Sequence, residues 1–243
     1  MRNLILFGLL IIMLLAAQFS SAKTVEEVIE KYLKARGGKT NLAAVQSIYM
    51  EGIRETPGKE VTVKIAKEQD KLSRTEIETG VATGFILITD KAAWTSFSLR
   101  TPAAVEIPGE DVAGLQHELD IAGPLVEYAF KGHAAELIGK DTVEGDSCYK
   151  IRLTLNTGNE MMFWIDTSTY LLIQSRATSV NSGGVKKDSY TRYRNYREIN
   201  GVQFAHTLQT KSPGAPEHGP GTEILFYKIL VNSPIDPGWY QPV

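Results

Sequence analysis

The sequence predicts a mainly β fold: a strongly curved antiparallel sheet, open like half a barrel, wrapped around helices at the N-terminus and mid-chain. Three observations predict it. From Ser47 onward most segments alternate apolar and polar residues, punctuated by Gly, Pro, Asn and Asp turns. No stretch between two such segments has the length of a crossover helix, which argues against a parallel βαβ sheet. Only one helix is firmly patterned, so too few helices exist to flank two sheets. A single sheet must then curl to bury one face, leaving a concave apolar interior.

Residues 1–22 have the layout of a secretory signal peptide. Arg2 supplies the positive start, Leu4 to Ala17 is an unbroken apolar and small run, and Ser20-Ser21-Ala22 suits cleavage after Ala22. The apolar core is short for a membrane span. No cysteine lies near the cleavage point, so a lipidated terminus is not expected. About 221 residues would remain, a single domain over 23–243 with a helical insertion near 110–130.

The formal charge is −2, and losing Arg2 with the signal leaves about −3, a weak acidic balance. With no basic tract, nucleic acid is not an expected partner. The single cysteine, Cys148, forms no intrachain disulfide framework and reads as a buried thiol.

Thr24 to Arg36 reads as a helix. Thr24 can cap it, Glu26 and Glu27 favour its first turn, and Val25, Val28, Ile29, Tyr32 and Leu33 make one stripe. Gly37-Gly38 stops it. A short second helix is expected from about Asn41 to Val45. Strands follow over Ile48–Arg54, Glu60–Lys67, Phe85–Thr89 and Ala93–Leu99, with Lys71–Thr79 a weaker candidate. Thr101 to Gly109 reads as loop, Asp111 to Leu119 has weak helical spacing, and Leu125 to Phe130 reads as one or two helical turns.

Strands resume over Ala134–Val143, Cys148–Leu155, Glu160–Ile165 and Tyr170–Ala177. Asp188–Ile199, Val202–Thr210 and Thr222–Leu230 complete the set. Glu144-Gly145-Asp146 and Asn200-Gly201 are turns. Lys211 to Gly221 reads as a loop, and an irregular tail follows Leu230. The total is roughly ten or eleven strands.

Chemistry-bearing patterns are sparse. His117, His133, His206 and His218 show no metal-ligand spacing, and His117-Glu118 lacks a second histidine for a zinc-peptidase pattern. No serine sits in a Gly-x-Ser-x-Gly turn, and Gly139-Lys140-Asp141 lacks the rest of a phosphate loop. Neither a catalytic residue nor a cofactor is expected.

Apolar ligand contact is the better-supported expectation. Its candidates are Phe85, Leu87, Trp94 and Phe97 on early strands, and Phe163 and Ile165, with Met161, on a later one. Alternation pairs Phe85 with Leu87 but does not say which face is inside. Trp164 faces away from Phe163. Leu115, Leu119 and Leu125, with Ile121, are candidates for a lid between Gly109 or Gly114 and Gly123, with a fixed plug as the alternative. Arg192, Arg194 and Arg197, interleaved with Tyr190, Tyr193 and Tyr196, read as a solvated outer face with cross-strand ion pairs, with phosphate or lipid-headgroup contact as the alternative.

Several stretches, in order, carry a resemblance. They are Glu30-Lys31-Tyr32-Leu33-Lys34-Ala35-Arg36-Gly37-Gly38 with Val45-Gln46-Ser47-Ile48, then Gly123-Pro124-Leu125-Val126-Glu127-Tyr128 with Glu136-Leu137-Ile138-Gly139-Lys140. Val143-Glu144-Gly145, Trp164-Ile165-Asp166-Thr167-Ser168-Thr169-Tyr170-Leu171, Asn200-Gly201-Val202-Gln203-Phe204 and Val231-Asn232-Ser233-Pro234-Ile235-Asp236 follow. With these the chain resembles the periplasmic outer-membrane lipoprotein-sorting proteins, relatives of the LolA carrier and the LolB receptor.

The resemblance implies a LolA/LolB-like half-barrel in a Gram-negative periplasm, holding lipid or the acyl chains of a lipoprotein without chemistry. Arg54 answers by position to the carrier's gating arginine. The chain departs from the receptor in lacking a lipidation cysteine and an exposed leucine loop, so the fold carries over better than the cargo. The expected protein is a monomeric carrier in outer-membrane biogenesis, not an enzyme. The alternative is an envelope sensor or protein-binding module whose partner is a membrane protein. A carrier predicts an open apolar cavity of roughly several hundred Å³ under a movable cover; the module predicts a filled interior and an exposed apolar patch or sheet edge.

Overall fold

The structure is a computed structural model that describes residues 23–56, 59–96, 103–180, 184, 186–211 and 221–243. The expected signal segment, the Pro57-Gly58 turn, Phe97 and His218 lie outside the described residues. Helix α1 (Val25–Ala35) begins where its sequence allows. The Thr24 hydroxyl accepts from the Glu27 amide while the Glu27 carboxylate accepts from the Thr24 amide, a reciprocal cap. Val28, Ile29, Tyr32 and Leu33 are buried beneath it. A short helix α2 (Lys39–Ala43) leads into the sheet.

The strands are β1 (Ser47–Thr56), β2 (Lys59–Glu68), β3 (Leu72–Glu78), β4 (Thr83–Thr89), β5 (Ala93–Ser96), β6 (Val105–Glu106) and β7 (Ala134–Val143). The rest are β8 (Asp146–Thr154), β9 (Glu160–Asp166), β10 (Leu172–Val180), β11 (Lys186–Ile199), β12 (Val202–Lys211) and β13 (Thr222–Val231). Among the described residues thirteen form one sheet, against the roughly ten or eleven expected. The two-residue β6 falls in the segment read as loop, and the weakly patterned β3 pairs along its whole length with β2 and β4.

The sheet is curved, antiparallel throughout and not closed. Its order is β6-β5-β4-β3-β2-β1-β13-β12-β11-β10-β9-β8-β7. Two-residue turns set the register of two hairpins. Glu144-Gly145 (φ 51° and 97°) places Val143 opposite Asp146, and Asn200-Gly201 (φ 51° and 76°) places Ile199 opposite Val202.

One face of this sheet holds the main core. Ile151, Leu153, Phe163, Ile165, Leu172, Phe204 and Phe226 join the buried stripe of α1 there. Each such side chain, fully buried, contributes about 1.5–3 kcal/mol. Helix α1 cannot cover the whole face. Eleven residues span about 16 Å, whereas thirteen strands span about 58 Å along the curve.

The strand order decides what else covers it. Strands β6 and β7 are consecutive in sequence but sit at opposite edges, so the connection over 107–133 must cross the inner face as a strap. It begins with one helical turn, α3 (Gly109–Val112), and a 3-10 segment, Ala113–Leu119. Val112 and Leu119 are buried against Ile88 and Ala93 at one end, and Leu125 and Val126 enter the main core at the other. The helical turns expected over Leu125–Phe130 do not form. Glu127 takes a left-handed φ of 50°, and the segment is a series of turns. No helix among the described residues is long and apolar enough to cross a membrane.

Candidate functional site

Between the strap and α1 the inner face keeps an open groove of about 370 Å³. Its floor is built from inward positions of β1 and β2 (Ile48, Met50, Ile65) and of β10 and β12 (Leu172, Phe204, Leu208). Pairing puts Met50 opposite Ile65 and Tyr193 opposite Leu208, so these side chains share one face. Strict alternation would send Tyr193 and Tyr196 to opposite faces. Asn195 between them is left-handed (φ 54°), and both rings reach the groove.

The polar ends of both tyrosines are already engaged. Tyr196 donates to the Leu172 carbonyl at 2.9 Å, and the Tyr193 hydroxyl lies 3.0 Å from Ser175 Oγ. Burial pushes the Tyr193 phenol up to about 12 and the Tyr196 phenol higher still, so both are neutral. What the groove presents is therefore largely carbon. Charged and hydroxyl groups share the lining: Arg36, Lys67, Glu118 and Asp120, with Thr75, Thr191 and Thr210. Arg36 donates to the Gln203 carbonyl at 3.0 Å and to Tyr32 Oη at 2.9 Å.

The strap closes one wall through Glu118, Asp120 and Ile121. It is latched to the β2–β3 turn. Lys67 Nζ meets Glu118 Oε2 at 2.9 Å and the Glu118 carbonyl at 3.0 Å. The Asp70 amide donates to the Leu119 carbonyl at 3.1 Å, and the Ile121 amide to Gln69 Oε1 at 2.9 Å. Lys67 holds the Glu118 carboxyl down at about 2. Lys131 pairs with Asp120 at 2.7 Å. These are polar, part-exposed ties, unlike the apolar seating of Val112 and Leu119.

The sequence-expected residues divide by face. Phe85 and Leu87 are buried on the other, convex face, with Trp94 packed against them. Ile235, Trp239 and Tyr240 of the C-terminal segment cover this patch, and the Tyr49 and Trp239 rings meet edge-on at 5.8 Å. Phe163 and Ile165 do face inward, but α1 covers them. Leu119 is buried and Leu115 packs against the same cluster at one strap end; Leu125 is buried at the other. None of these eight lines the groove. Trp164 faces away from Phe163 as expected, but it is buried with Val143, Cys148, Met162 and Tyr190. Its indole donates to Asp141 at 2.9 Å.

The groove-lining Met50, Ile65, Tyr193, Tyr196, Phe204 and Leu208 escaped sequence reasoning. Nothing local in the sequence marked which face α1 leaves bare. Arg54 lies on β1 opposite Val61, outside the groove lining, and its Nε is buried without a partner. Arg192 and Arg194 both pair with Glu144, but Arg192 is buried and Tyr193 and Tyr196 turn inward, so the strip expected on one outer face is split between the two faces.

Among the described residues no three His, Cys, Asp or Glu side chains converge as a metal site requires. Cys148 is fully buried, and burial, then the nearby Asp166 and Asp146, push its thiol up to about 11, which removes the thiolate a nucleophile needs.

Comparison with known proteins places the architecture. No family model matches the chain, and no curated protein does. Solved structures do, and two of them are informative. One is a LolA-superfamily protein from Nitrosomonas europaea, 14% identical over 90% of this chain and 98% of that one, with a TM-score of 0.54. The other is a DUF1329-family protein from Desulfovibrio piger, 13% identical over 90% of this chain and 98% of that one, with a TM-score of 0.57. At such identities the likeness is one of fold: the chain has a LolA-like fold, an open curved sheet around a helix.

Proposed function

We propose that the inner groove binds an apolar ligand reversibly, a lipid or the acyl chain of a lipoprotein, and that the protein performs no chemistry on it. The observation that carries this reading is the groove itself. Its volume of about 370 Å³ falls within the roughly 300–1,000 Å³ of small-molecule sites. Its floor is aliphatic and aromatic, and its two phenols spend their hydrogen bonds on the protein. On that floor a chain of methylenes would replace water at about 0.8 kcal/mol each. The part-exposed ties of the strap suit a cover that opens.

The reading includes export. Cleavage after Ala22 would leave Lys23 as the first residue, a few residues ahead of the buried stripe of α1, and the mature protein would work in the periplasm. Native mass spectrometry of protein purified from that compartment, followed by lipid extraction, tests both points. A polypeptide mass beginning at Lys23, with an extra mass that extracts as lipid or acylated peptide, supports the carrier and names the cargo class. An unliganded mass that takes up no added lipid sinks it.

A further inference from the structure

A second cleft, of about 540 Å³, lies between α1 and the strap's far turn. Ile29, Leu33 and Leu125 are buried beneath it, Tyr128, Ala129 and Phe130 form its accessible apolar wall, and its rim carries the carboxylates of Glu26, Glu30 and Glu127 against one ammonium, Lys39. Phe130 stands at its edge, 91% exposed. A ring left so exposed on a loose loop would fold down onto apolar surface. This turn is braced instead. The Lys131 amide donates to Glu127 at 3.1 Å, the Gly132 amide to Ala129 at 3.1 Å and the His133 amide to Tyr128 at 2.9 Å. Lys131 Nζ ties the turn to Asp120. The backbone therefore holds Phe130 outward.

An exposed aromatic beside a preformed apolar cleft marks an interaction surface, and the rim states the partner's charge. We propose that this cleft docks a basic amphipathic segment of a partner protein, its apolar side chains seated on Tyr128, Ala129 and Phe130 and its Lys or Arg residues facing Glu26, Glu30 and Glu127. The acidic rim repels an anionic bilayer, which opposes membrane insertion of Phe130. The site is separate from the inner groove and stands whether or not the groove carries lipid.

The test uses the mature chain, residues 23–243, and a labelled peptide of about 14 residues, with leucines at helical spacing and flanking lysines. A counterpart with glutamates in place of the lysines serves as control. Fluorescence anisotropy should show saturable binding of the lysine peptide and none of the glutamate peptide. Phe130→Ser should weaken binding about tenfold. The triple variant Glu26→Gln, Glu30→Gln, Glu127→Gln should weaken it about as much and flatten its salt dependence. All four positions are exposed, so unchanged melting temperatures verify the variants' folding. Absence of saturable binding, or binding equal in all variants, overturns the proposal. So does Phe130-dependent flotation with phosphatidylglycerol vesicles in place of peptide binding, which would assign the ring to a membrane.

Discussion

At the scale of single residues, the pair Lys67 and Glu118 sets the strap's response to acid. Glu118 titrates at about 2 because Lys67 stabilises its charged form, against about 4.3 in an unfolded chain. A depressed carboxylate contributes stability that is present above the unfolded value and is lost as the pH falls through the folded one. The latch should thus loosen from about pH 4.3 down to about 2. The Glu118 side chain is 44% exposed, so solvent screening keeps its worth at or below about 1 kcal/mol. Glu118→Gln is therefore expected to leave the melting temperature almost unchanged at neutral pH. It should speed amide exchange at Asp70, which donates to Leu119, and remove the extra acid sensitivity of that amide. Equal exchange at Asp70 in wild type and variant, at neutral pH and at pH 3, would sink the latch.

At the scale of elements, the junction between α1 and the β11–β12 turn holds the helix across the sheet. The Gln203 amide donates to the Arg36 carbonyl at 2.9 Å, and Asn41 Nδ2 donates to the Gly37 carbonyl at 3.0 Å. Gly37 (φ 118°) passes so near the turn that an added Cβ would stand 2.0 Å from the Gly201 carbonyl oxygen. Gly38 (φ 87°) has nothing within 4 Å of its own added Cβ. Gly37→Ala is expected to cost more than about 3 kcal/mol, through clash as well as strain, and Gly38→Ala about 1 kcal/mol through strain alone. Urea titration measures both, and equal losses would show that the close approach is not what matters. Element boundaries were largely legible in sequence here. Capping residues and glycines mark α1 locally, and two-residue turns mark the hairpins. The stretch Leu125–Phe130 was not legible: its apolar spacing suits a helix, but Glu127 is left-handed and the Lys131, Gly132 and His133 amides close turns back onto Glu127, Ala129 and Tyr128.

At the scale of the whole molecule, ligand binding should report itself as stability. A ligand that binds only the folded protein stabilises it by about 2.7 kcal/mol at a hundredfold excess over its dissociation constant. For a domain of this size that raises the melting temperature by roughly 5–10 °C. Thermal unfolding with and without palmitate is expected to show such a rise. Leu208→Glu, which places a charge on the groove floor, is expected to abolish the rise while leaving a folded protein. A rise that survives Leu208→Glu would move the ligand out of the inner groove.

The sequence by itself determined the fold class, the first helix and its cap, most strand positions, and the absence of a disulfide framework. These depend on periodicity, on residues adjacent in the chain, or on a simple count. Only the tertiary structure decided which face of each strand is inside. Alternation is symmetric about the plane of a sheet, so Phe85 with Leu87 and Ile48 with Met50 look alike until something packs against one of them. The C-terminal Ile235, Trp239 and Tyr240 cover the first pair on the convex side, and α1, about 16 Å long, covers Phe163 and Ile165. The groove is what those two covers and the strap leave bare, and that remainder depends on strand order across the whole sheet rather than on any residue's neighbours in sequence.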